Sequence, residues 1–169
     1  LIPGGLGERP GSESTAVRVR ALLDASRQRD DEGPVVNGGN CLGVRSVPGR
    51  YDTLFIPRHK LAFKTQGATP LAFISQSGAF AVARSSGLWS LDPRYVVTIG
   101  NQIDLTIADW MDALAEDPEV RVLAAYVEGF PTLEGARFAR RVAELTAEGR
   151  LVLLYRAGRT PEGCAASAS

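Results

Sequence analysis

From Leu71 onward the chain alternates short apolar runs with longer segments in which apolar residues recur every three or four positions. The runs are Leu71 to Ser75, Tyr95 to Ile99, Val120 to Val127 and Leu151 to Tyr155. Runs of this length without strict alternation suit strands buried on both faces. Between the second and third runs, Ile107, Trp110, Met111 and Leu114 fall at i, i+3, i+4 and i+7, the core-facing stripe of a helix. In the next segment Phe138, Val142 and Leu145 form the inner stripe and Arg137, Arg140, Arg141 and Glu144 the solvated face, with Gly149 placed to cap the helix end. The order is βαβαβαβ, which requires parallel strands joined by right-handed crossovers.

The pattern predicts an α/β fold, a flavodoxin-like three-layer domain with helices on both faces of a parallel sheet. In such sheets ligands bind outside the carboxyl ends of the strands. Four distinctive loops follow the four runs: SQSGAF from Ser75, GNQIDL from Gly100, EGFP from Glu128 and AGRTPEG from Ala157. The first reads as strand, tight turn and helix start. Gly78 lets that turn pass close to a ligand, Ser75 and Ser77 bring hydroxyls, and the first helical N–H groups have no partner within the helix. Phosphate or carboxylate is the expected guest, and the competing reading is that Ser77 only caps the helix while Gly78 relieves the turn.

Residues 1–67 are organised differently. A helix is expected from about Ser14, as N-cap, to Arg27, with Val17, Ala21, Leu22 and Ala25 inside. A charged hinge leads to a short strand at Val35 and Val36, then to the glycine-bearing run Asn37 to Val44. Residues 45–67 lack strong periodicity and read as a linker. Both ends, Leu1 without a methionine and the run CAASAS ending at Ser169, read as those of a fragment.

Charge changes the picture by exclusion. The 169 residues carry 19 basic and 19 acidic side chains, so there is no basic footprint for nucleic acid or for an anionic membrane surface. The apolar runs are about half the length of a membrane helix, and no targeting signal opens the chain. Cys41 and Cys164 lack metal-type spacing and suit reduced thiols in a cytoplasm. No metal site is expected.

Five stretches in order, GGNCLGV (Gly38 to Val44), LAFISQSGAF (Leu71 to Phe80), IGNQIDL (Ile99 to Leu105), AEDP (Ala115 to Pro118) and YVEGF (Tyr126 to Phe130), closing with GRTPEGCAAS (Gly158 to Ser167), resemble the NDP-forming acyl-CoA synthetases. These are relatives of the α subunit of succinyl-CoA synthetase. The resemblance implies residues 1–44 as the C-terminal portion of a Rossmann-type CoA-binding domain, 45–67 as linker and 68–169 as the flavodoxin-like ligase domain. It implies acyl-CoA formation from a carboxylic acid, CoA and ATP through acyl phosphate and a phosphohistidine. ATP and Mg2+ would be held by parts outside this chain, an ATP-grasp domain or β subunit, in an oligomer, and the fragment alone would be inactive.

By the same resemblance, Ser75, Ser77, Gly78 and Ala79 cradle the phosphoryl group, and Glu128 orients the phosphohistidine. Asn40 and Cys41 lie near the reactive end of CoA, with a structural turn at Asn40 and a small buried Cys41 as the alternative. Asn101 and Asp104 order the loop after the second strand, Asp104 partly as a cap for a helix starting near Thr106. Gly39 stands where the family commonly has proline, which would loosen that turn. The family's histidine follows the run that here reads GCAASAS and falls outside the sequence. His59, in PRHKLAF, takes no catalytic role. A rival reading is a ligand-sensing module fused to an acetyltransferase that has lost the histidine, and a further one is a stand-alone nucleotide or flavin binder.

Overall fold

A computed structural model of the chain describes residues 2, 4–7, 9–57, 59–61, 67–87 and 90–158. The four apolar runs become β3 (Thr69–Ser75), β4 (Pro93–Thr98), β5 (Val122–Val127) and β6 (Leu151–Arg156), separated by α2 (Gly78–Gly87), α3 (Ile107–Ala115) and α4 (Glu134–Ala147). All four strands are parallel, with β3 between β4 and β5, and β6 beyond β5. The helices form the outer layers: α3 and α4 pack side by side, α4 against β6, and α2 against β3 and β4.

Alternation along the strands decides which side chains meet which layer. Ala72, Ile74, Val97, Ile99, Leu123, Ala125 and Val127 are buried with Ile107, Met111 and Leu114 of α3 and with Phe138 and Leu145 of α4, and Val142 packs against the same cluster. The expected stripes of α3 and α4 therefore form the main core. Trp110 differs: it is half-buried, and its indole N–H donates to the Asn37 side-chain oxygen at 3.0 Å. Helix α3 starts with a capping box in which the Thr106 hydroxyl accepts from the Asp109 N–H and the Asp109 carboxylate accepts from the Thr106 N–H. The arginines on α4 do more than face solvent, since Arg137 pairs with Asp109 and Asp112, and Arg141 with Asp112.

Three expectations for the first part of the chain need correction. Residues 45–67 contribute to the sheet: β1 (Val44–Ser46) and β2 (Tyr51–Asp52) form a hairpin whose first strand pairs antiparallel with β4. The sheet is therefore mixed, in the order β2-β1-β4-β3-β5-β6, and strands of two and three residues are too short to carry a period. Val35 and Val36 form no strand; Val36 instead donates to Asp104 Oδ2 and accepts from the Leu105 N–H.

The helix α1 spans Glu13–Ser26, and its buried residues are Ala16 and Leu23. Val17 and Leu22 are 63% and 62% exposed, so the opposite stripe meets the protein. Ser12 rather than Ser14 precedes the helix, and its hydroxyl serves the turn before it by donating to the Arg9 carbonyl. Among the described residues no helix is long and apolar enough to cross a membrane.

Candidate functional site

The parallel strands reverse direction of growth between β3 and β5. The chain leaves β3 toward β4 on one side, then returns across it to β5 on the other. The loops at the carboxyl ends of β3 and β5 diverge there and leave a crevice. Gln76, Ser77, Gly78 and Ala79 from the first loop and Glu128 from the second line a cleft of about 770 Å³ at this point. Asn40, Cys41, Gly100 and Asn101 form another wall, and Ile2, Phe55, Ile56 and Val82 give it an apolar end.

The turn after β3 is held from both sides. Ser77 is the cap of α2, its hydroxyl oxygen accepting from the Phe80 N–H at 3.2 Å, while its carbonyl accepts from the Ala81 N–H. The N–H groups of Gly78 and Ala79 lie in the first turn, with no carbonyl four residues back in the helix to accept from them. Gly78 and Ala79 line the cleft at the positive end of the α2 dipole. A Cβ on Gly78 would stand 3.0 Å from Leu42 Cβ, so the absent side chain lets the helix end pack closely there.

Ser75 departs from its expected role as a cradle residue. It is completely buried and its hydroxyl donates to the Ser77 carbonyl at 2.6 Å. As the last residue of β3 its side chain points inward, so it shapes the turn from beneath. Asp104 does not cap α3. Thr106 is the α3 cap, whereas the Asp104 carboxylate pairs with Arg27 and accepts from the Val36 N–H at 2.8 Å, tying the end of α1 and the chain after it to the loop following β4.

The Asn40 wall is pinned to that same loop. The Asn101 N–H donates to the Gly39 carbonyl at 2.9 Å and the Ile103 N–H to the Gly38 carbonyl at 2.8 Å. Gly100 has φ +55°, and a Cβ there would stand 2.0 Å from the Gly39 carbonyl oxygen, which only glycine avoids. The turn that Gly39 was expected to loosen is thus held by backbone bonds. Asn40 is left-handed at φ +49° and exposed in the cleft, while Cys41 is buried, with the Asn37 carboxamide 3.5 Å from its sulfur. Asn40 and Cys41 make a structural turn, and that turn lines the cleft.

Two residues of the site were not singled out from sequence. Gln76 Oε1 accepts from the backbone N–H groups of Glu128 and Gly129 at 2.9 and 3.1 Å, joining the two switch-point loops. Tyr126, at the end of β5, places its phenol beside the Glu128 carboxylate. Burial pushes that phenol above its ordinary value, and the charge and hydrogen bonding of Glu128 add to the rise. Gln76 lay inside a quoted motif, but its target depends on β3 and β5 being neighbours, which no local pattern reveals. His59 is exposed. The expected loop from Arg159 and the run GCAASAS with Cys164 lie outside the described residues.

The strand order and the helices on both sides of the sheet define a flavodoxin-type α/β domain, with a cleft at its switch point. The family model described as succinyl-CoA ligase like flavodoxin domain matches residues 68–169, and the chain belongs to that family. It is 31% identical over 173 residues to the α subunit of an ADP-forming acetate–CoA ligase I of Pyrococcus furiosus, covering 100% of this chain and 34% of that one. It is 26% identical to an ADP-forming 4-hydroxybutyrate–CoA ligase of Nitrosopumilus maritimus, covering 96% of this chain and 22% of the relative. A solved dinucleotide-forming acetyl-coenzyme A synthetase 1 of Ca. Korarchaeum cryptofilum, in complex with phosphate and ADP, superposes with a TM-score of 0.80 at 27% identity, covering 99% of this chain and 34% of that chain. The chain therefore spans about a third of the length of the first and last of these proteins and less of the second.

Proposed function

We propose that this chain is the central portion of an NDP-forming acyl-CoA synthetase, in which the switch-point cleft receives the phosphoryl group that passes between a histidine and the carboxylic acid. The observation that carries the reading is the meeting, in one cleft, of the open N–H groups of Gly78 and Ala79 with the Glu128 carboxylate. N–H groups at a helix start suit a phosphoryl dianion, and they stand fixed before the charge arrives. A carboxylate facing them suits one nitrogen of an imidazole, leaving the other to accept phosphorus. Without a cation between them, Glu128 and a phosphoryl group would repel; an imidazole held by Glu128 supplies it.

In this reading Ser77, Gly78 and Ala79 bind the phosphoryl oxygens, Ser75 supports their turn from below, and Glu128 orients the histidine. Asn40 and Cys41 border the path of the CoA thiol, with residues 1–44 belonging to a CoA-binding domain of Rossmann type. Asn101 steadies that wall through its backbone bond to Gly39. ATP and Mg2+ are assigned to an ATP-grasp domain or β subunit, as the resemblance to the NDP-forming acyl-CoA synthetases implies. The assembly is an oligomer working in the cytoplasm on CoA and a carboxylic acid or its acyl phosphate. The test uses the full-length protein with ATP labelled at the γ-phosphate and Mg2+. An acid-labile, base-stable label on a histidine supports the reading, and its absence rejects it.

A further inference from the structure

We infer that Gln76 is a ligand of the phosphoryl group, using the two ends of one carboxamide for two tasks. The inference rests on the reading of the cleft as a phosphoryl site. Its oxygen end is fixed by geometry: two backbone N–H groups, from Glu128 and Gly129, point at it from 2.9 and 3.1 Å. Two donors require an acceptor, so the amide cannot be flipped and the nitrogen must occupy the other end. The Gln76 N–H donates to the Tyr126 carbonyl, which also fixes the backbone beneath the side chain. Gln76 lines the cleft with Gly78, Ala79 and Glu128.

What remains is a carboxamide nitrogen with two hydrogens, at the other end of a side chain that lines a cleft whose other feature is a helix start. That donor adds a side-chain contact to the two backbone N–H groups on the same guest. The arrangement also links recognition to chemistry. Pulling on the Gln76 nitrogen loads its oxygen, which holds the Glu128 loop in place, so an oxyanion bound by Gln76 and the carboxylate opposite are set by the same side chain.

The experiment measures the affinity of the full-length protein for inorganic phosphate, separately from histidine labelling. Gln76→Met removes the donor at nearly constant volume. Gln76→Glu keeps two acceptor oxygens for the Glu128 and Gly129 N–H groups while replacing the donor with a negative charge. Both variants are expected to bind inorganic phosphate about ten-fold or more weakly, with the thermal midpoint of Gln76→Glu close to that of the parent. Affinity unchanged in Gln76→Met overturns the inference, as does a parent protein that fails to bind phosphate. A parent that binds phosphate in a Gln76-dependent way but is never labelled on histidine keeps the inference and removes the ligase reading.

Discussion

Two hollows among the described residues are built on different principles. One, of about 280 Å³, lies on the α2 side of the sheet against Phe73, Phe80, Tyr126, Leu153 and Tyr155, and is almost wholly apolar. Phe80, Tyr126 and Tyr155 stack with centroids 3.8 to 5.7 Å apart, and Leu151, Leu153 and Tyr155 of β6 are about half exposed. The other is the switch-point cleft, wider and edged with backbone N–H groups, Gln76, Asn40 and a carboxylate. Among the described residues, the first lies where the face of β3, β5 and β6 extends beyond α2. The second exists because the strand order reverses. Shape and apolar lining mark the first, but the groups that the proposed function uses, the start of α2 and the Glu128 carboxylate, occur in the second. In this fold, chemistry follows topology.

The sharpest way to break that contrast is Glu128→Gln. Under the proposed function the carboxamide still fits the loop but no longer stabilises a charged imidazole or fixes its tautomer. Histidine labelling in the full-length protein is expected to slow by on the order of 10²–10⁴-fold, with the unfolding midpoint nearly unchanged. Labelling at the parental rate would strip the cleft of its assigned role.

Next in size is Gly100→Ala. Its φ of +55° and the 2.0 Å approach to the Gly39 carbonyl oxygen leave no room for a methyl group. The variant must move the Asn40 turn away from the loop after β4, at a cost of about 3 kcal/mol in chemical denaturation. Because that turn is a wall of the cleft and no part of the apolar hollow, phosphate binding should weaken with it. A loss of stability without loss of phosphate affinity would separate the wall from the site.

These positions also show what the sequence could and could not disclose. The four parallel strands and the buried stripes of α3 and α4 were legible because each pattern repeats over a whole element. In α1 two stripes compete, and only tertiary contact selects Ala16 and Leu23 over Val17 and Leu22. The hairpin of β1 and β2 had no pattern to read. At the site, the positions of Ser77, Gly78, Ala79 and Glu128 on one edge followed from strand order. The inward turn of Ser75 depends on one step of strand alternation at a loop boundary, and the pairing of Asp104 with Arg27 spans 77 positions. The role of Gln76 has no local signal, because its first partner, Glu128, sits in the loop after β5, 52 positions away.

A smaller effect tests the apolar hollow. Tyr155→Ala removes one ring of the stack at a half-exposed position, so part of its area is already in water. The expected destabilisation is about 1 kcal/mol, mainly the loss of ring contacts. Phosphate affinity should stay at the parental value. A variant that loses phosphate binding would mean that the two hollows act together.

Tyr126 is where they touch, its ring in the stack and its hydroxyl beside Glu128. Burial, then Glu128, raises its phenol above the ordinary value of about 10. The unfolded chain therefore loses this proton first, so the stability it contributes is present below pH 10 and is lost as pH rises from there through the folded value. Burial followed by Asp117 raises Tyr95 in the same direction, so both phenols draw on one alkaline window. Tyr126→Phe keeps the ring in the stack, and its effect at pH 7 is expected to be about 1 kcal/mol or less. Above pH 10 its unfolding free energy should fall less steeply than the parent's, leaving the slope due to Tyr95. Equal slopes in parent and variant would show that the Tyr126 hydroxyl does not couple the stacked rings to the carboxylate of the cleft.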